Sequence, residues 1–95
     1  MSRVVKVEVT AEDIANGRRG SACDCPVARA CQRAGLESAS FWPDQERNGR
    51  VFWGKHVPGV SRDNVVVPRV CDTFAERFDE GDTSVQPFSF ELELP

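Results

Sequence analysis

Apolar and polar positions alternate at both ends of the chain. From Arg3 to Thr10, Val5, Val7 and Val9 fall on one side and Lys6, Glu8 and Thr10 on the other, with Val4 left on the polar side. That period of two predicts a half-buried strand. The same pattern closes the chain over Val85–Leu94, where Phe88, Phe90, Leu92 and Leu94 interleave with Ser89, Glu91 and Glu93. Twice in between, the period becomes helical. Val27, Ala30, Cys31 and Ala34 share one face of a helix, with Arg29, Gln32 and Arg33 on the other. Pro26 suits the first helical position, so Cys25 or Asp24 becomes the N-cap, and Gly35 followed by Leu36 supplies a left-handed stop. The apolar face holds small side chains only, which predicts a helix pressed between the sheet and another helix. Val67, Val70, Cys71, Phe74, Ala75 and Phe78 form the second stripe, opened by Pro68 and closed by Gly81.

Shorter signals complete the outline. Thr10 and Asp13 resemble a capping box before a turn or two of helix around Ile14 that Asn16-Gly17 ends. Ser38–Trp42 and Arg50–Lys55 are strand candidates joined across a polar loop from Pro43-Asp44 to Asn48-Gly49, and Pro58-Gly59 marks a further turn. Val65-Val66-Val67 reads either as a short strand or as the lead-in to the second helix. The expected fold is α+β, one domain over residues 1–95 in the order β-α-α-β-β-α-β, with a mostly antiparallel sheet and helices packed on one face.

Composition adds little until charge is divided along the chain. Ninety-five residues with 40% hydrophobic and 28% charged positions are ordinary for a globular domain, and the net charge of −3 selects no partner. Residues 1–60 carry nine Lys/Arg against seven Asp/Glu, whereas residues 61–95 carry three against eight. The last third is acidic. No apolar run approaches the ~20 residues of a membrane span, and the opening MSRVVKVEV lacks the apolar core of a signal peptide. A cytoplasmic chain with four reduced cysteines and no membrane partner is expected.

Candidate chemistry is sparse. Cys23, Cys25, Cys31 and Cys71, with His56, supply enough ligands for zinc but lack paired C-x-x-C knuckles. Cys31 and Cys71 fall on apolar helix faces, where a free cysteine acts as a small buried hydrophobe. Cys25 differs, because a thiol at a helix N-terminus feels the positive end of the dipole and gains thiolate character. His56 is the only histidine, with Ser61 and Asp63 close in sequence, which is not triad geometry. No catalytic residue, metal ligand or cofactor is therefore assigned.

The aromatic pairs Phe41-Trp42 and Phe52-Trp53 carry more. Neighbouring residues of a strand point to opposite faces, so one ring of each pair faces out if only one side of the sheet is covered. Beside them stand Arg47, Arg50, Lys55 and His56. Such a surface suits a protein partner through aromatic hot spots, or single-stranded nucleic acid through stacking. Asp72, Glu76, Asp79 and Glu80, on the helix after Pro68, form a second candidate surface that could imitate a row of phosphates.

The strand followed by Glu12–Gly17 (EDIANG), the helix start Cys25–Ala30 (CPVARA), the helix end Phe78–Gly81 (FDEG) and Pro87–Leu92 (PFSFEL) together resemble a group of small proteins of bacteriophages and of actinobacterial or proteobacterial genomes. The resemblance is weakest from about Phe41 to Asn64, its motifs are structural, and it carries over no catalytic residue. It implies a phage- or mobile-element product that binds and modulates a host protein without catalysis. Inhibition of a host defence system, as an anti-CRISPR protein does, is the most specific version. The alternatives are a small nucleic-acid-binding module using the aromatic and basic hairpin, and a cysteine-based zinc or redox protein.

Overall fold

The computed structural model describes residues 3–44, 46, 48–54, 58–59 and 62–94. The elements run β1 (Arg3–Val9), α1 (Ala11–Asn16), α2 (Pro26–Arg33), β2 (Ser40–Trp42), β3 (Arg50–Trp53), β4 (Asp63–Val66), α3 (Arg69–Asp79) and β5 (Phe88–Leu94). The α+β reading holds, and Val65-Val66 belong to a strand. The antiparallel sheet comes as two ladders, β1 with β5 and β2-β3-β4. In the first, Val5 faces Leu92, Val7 faces Phe90 and Val9 faces Phe88, so both alternations turn their apolar sides the same way.

The helices cover those inner faces. α2 lies against β1, β2 and α1, the close packing its small face allows. One core joins Val7, Val9, Val27, Cys31, Phe41, Val51, Cys71 and Leu92, with Phe74 of α3 tilted onto Phe88 at a ring distance of 4.9 Å. Both longer helices end on a left-handed glycine. The Gly35 amide donates to the Gln32 carbonyl and the Leu36 amide to the Cys31 carbonyl, and Gly81 and Asp82 repeat the pattern on Phe78 and Arg77. Val70 departs from its expected place and is exposed. It sits about 100° round the helix from Cys71, on the rim of the stripe.

The Thr10–Asp13 capping box forms with both of its hydrogen bonds, at 2.9 and 3.2 Å. Asp13 is buried, and Arg33 of α2 grips its two carboxylate oxygens at 2.6 and 2.7 Å while also donating to the Glu8 carbonyl. Burial raises the Asp13 pKa, but the Arg33 guanidinium and the Thr10 amide and hydroxyl outweigh it, so the net shift is downward from 3.8. Arg33→Ala leaves that carboxylate without its cation. Because Arg33 is half-exposed and screened by solvent, the expected cost is about 2 kcal/mol, below the range for fully buried pairs. A carboxylate with a lowered folded pKa stabilises above its unfolded value and loses that contribution as pH falls through the folded one. Urea unfolding should therefore show wild type weakening below about pH 4, and Arg33→Ala should flatten that dependence.

Candidate functional site

The three-stranded ladder has two unlike faces, and its register assigns each aromatic to one of them. Phe41 pairs with Val51 and Val51 with Val65, a row turned to the core. The flanking rows, Trp42–Arg50–Val66 and Ser40–Phe52–Asn64, point the other way. One ring of each sequence pair thus lies on the outer side, Trp42 and Phe52, while Phe41 and Trp53 lie on the inner. Trp42 is 58% exposed and Val66 44%, whereas Phe41 is 1% exposed. Phe52 and Trp53 are half-buried, Trp53 against the core. Phe41 therefore leaves the set of contact residues: its ring fills the space between the ladder and α2. Arg47, Lys55, His56 and Ser61 lie outside the described residues.

Several polar contacts hold this face in shape. Asp72 of α3 is buried, and its carboxylate accepts from the Gly49 amide at 2.9 and 3.0 Å and from the Asp44 amide at 3.0 Å. It closes both ends of the β2–β3 loop onto α3. A Cβ at Gly49 would lie 2.5 Å from both the Asp72 carboxylate and the Trp42 carbonyl, which explains a glycine there. Arg62 donates to the Ser40 hydroxyl and to the Ser38 carbonyl, covering Ser40 and tying β4 to the start of β2. Arg50 donates to the Asn64 side chain at 2.8 Å, so its charge stays on the outer surface. Trp42, Pro43, Arg50, Phe52 and Val66 line a shallow groove of about 610 Å³ across this face.

The acidic helix is less of a surface than its sequence suggests. Asp72 is consumed inside the fold and is withdrawn as a contact residue, and Asp79 accepts from the Gly20 amide at 3.0 Å. Glu76, Asp79 and Glu80 remain exposed beside a small groove of about 270 Å³ with Pro43, Asp44 and Arg69.

The thiols are arranged as packing groups. Cys25 is the N-cap of α2, its sulfur accepting from the Ala28 amide at 3.4 Å. Burial nevertheless pushes this thiol up to about 11, against the lowering that its helix position suggested, because desolvation of the thiolate outweighs the Ala28 and Val27 amides. Burial likewise raises Cys31 to about 12 and raises Cys71. Among the described residues no three His, Cys, Asp or Glu side chains form a group that could hold a metal ion. A thiol titration at neutral pH should find Cys23, the exposed cysteine, reacting rapidly and the other three only after denaturation. Rapid modification of Cys25 in the folded protein would contradict this assignment.

No helix among the described residues is long and apolar enough to cross a membrane. The chain matches no family model, no curated protein and no solved structure. Its function rests on the chemistry of its own surface. There, sequence reasoning named Trp42, Arg50 and Phe52 but missed Val66 and Asn64. A run of three valines shows no period, and only the β3–β4 register turns Val66 outward.

Proposed function

We propose that this chain is a non-catalytic protein-binding module whose contact surface is the outer face of the β2-β3-β4 ladder. The observation that carries the reading is the row in which the exposed Trp42 and Val66 flank Arg50. Tryptophan and arginine are the residues most enriched where protein interfaces concentrate their binding energy, and a partner desolvates the groove around them. Two observations support a non-catalytic role. Three of the four thiols are held protonated by burial, and two of the four carboxylates singled out on α3 accept backbone amides. By the resemblance of its sequence motifs, the partner is a host protein met in a bacterial cytoplasm, and a component of a defence system is the most specific candidate.

Nucleic acid suits the face less well. The described charges that line this groove and the adjoining one between β4 and β5 are Arg50 against Asp44, Glu91 and Glu93, a poor match for a phosphate backbone. Capture from host lysate with the tagged chain separates the two. A protein partner should survive nuclease treatment, and Trp42→Ala should weaken it on the order of 30-fold, as the loss of a hot-spot side chain does. Recovery of nucleic acid alone, with affinity falling steeply as salt rises, would overturn the reading.

A further inference from the structure

We propose that the outer sheet face is self-complementary and that, when no other partner holds it, its occupant is a second copy of this chain. The inference rests on reading that face as a protein contact. The face does not stop at β4. β4 lies beside β5, and a groove of about 690 Å³ brings Arg50, Val66, Glu91 and Glu93 into one surface. Glu91 and Glu93 are exposed on β5, and on β1 they face Lys6 and Val4, the latter 55% exposed. The β2-β3-β4 ladder presents the row Trp42, Arg50, Val66, and across the groove the separate β5-β1 ladder presents Glu93 paired with Val4. Across both ladders the row is apolar, positive, apolar, negative, apolar.

A row with that symmetry is complementary to its own reverse. Place a two-fold axis in the interface, along β4 at Val66, and the second copy presents the row in the opposite order. The reversed order then brings Arg50 over Glu93 of the other copy, twice, with Val66 on Val66 and Trp42 over Val4. The charges are available for this. Lys6–Glu8, Arg33–Asp13 and Arg77–Asp82 form ion pairs that involve neither Arg50 nor Glu93. Arg50 donates to the neutral Asn64 side chain, and Glu93 faces an apolar residue across its ladder. Each copy thus offers on one flank of Val66 the charge that the other flank lacks, and an isologous pair satisfies both.

Sedimentation and light scattering of the full chain from micromolar to millimolar concentration test this. The mass should rise from 10.5 kDa toward twice that value. Arg50→Glu and Glu93→Arg should each raise the dissociation constant at least tenfold, and the double variant should bring it back to within about threefold of wild type. Circular dichroism confirms that each variant is folded, and Arg50→Gln and Glu93→Gln replace any that is not. A chain that stays monomeric, a dimer indifferent to both charge changes, or a double variant that fails to recover would overturn the proposal. If the chain is monomeric while Trp42→Ala still weakens capture of a protein, the contact face stands and the second copy is excluded. If neither self-association nor capture depends on Trp42, both readings fall.

Discussion

Phe41→Ala is expected to destabilise the protein by about 3–5 kcal/mol, the cost of emptying a fully buried aromatic site. The ring is 1% exposed and sits in the row Phe41–Val51–Val65, between the ladder and α2. The Phe41 amide also donates to the Ala22 carbonyl at 2.8 Å, which pins β2 to the segment leading into α2. A domain of this size has roughly 5–15 kcal/mol in total, so the variant stands close to unfolding. Trp42→Ala, one residue on, should change stability by less than about 1 kcal/mol, because the indole already meets solvent. Urea melts of the two variants should therefore separate widely. Equal losses would mean that the register assigned to β2 is wrong, since a slip by one residue exchanges the two faces.

Asp72→Ala should cost about 3 kcal/mol, since hydrogen bonds to a charged acceptor are worth roughly 1.5–3 kcal/mol each and the Gly49 and Asp44 amides lose theirs together. Asp72→Asn keeps one acceptor oxygen and should lose about half as much on the same scale. The damage should be local as well as global. Gly49 precedes β3, and its carbonyl accepts from the Val67 amide at 3.0 Å, so releasing it loosens the edge on which Trp42, Arg50 and Val66 sit. Hydrogen exchange at Gly49 should accelerate in Asp72→Ala beyond the change in global stability. An Asp72→Ala variant within 1 kcal/mol of wild type, with Gly49 still protected, would show that the carboxylate does not organise this loop.

Much of the fold is legible in residue order. The outer strands announce themselves through period two, α2 through Pro26 and Gly35, and α3 through Gly81, because each signal reflects a local backbone requirement. What sequence cannot supply is register. That Trp42 and Phe52 share a face while Phe41 and Trp53 share the other depends on Trp42 pairing with Arg50, a choice made between strands and not within either. Asp72 is the same lesson in reverse. On its own helix it lies off the apolar stripe and reads as a solvated acid, whereas in the fold it is buried and takes the Asp44 and Gly49 amides. Cys25 shows two local effects opposing each other: the helix N-terminus favours the thiolate, the surrounding core disfavours it, and burial wins.

The face and the acidic helix can be set against each other directly. Wild type, the double variant Trp42→Ala/Val66→Asp and the double variant Glu76→Gln/Glu80→Gln are each tagged and used to capture protein from the same nuclease-treated host lysate, with the bound fraction quantified. The wild-type partner should persist with the α3 variant and fall at least tenfold with the sheet-face variant, provided urea melts show all three folded. Retention by the sheet-face variant and loss by the α3 variant would contradict the contact surface proposed for this protein.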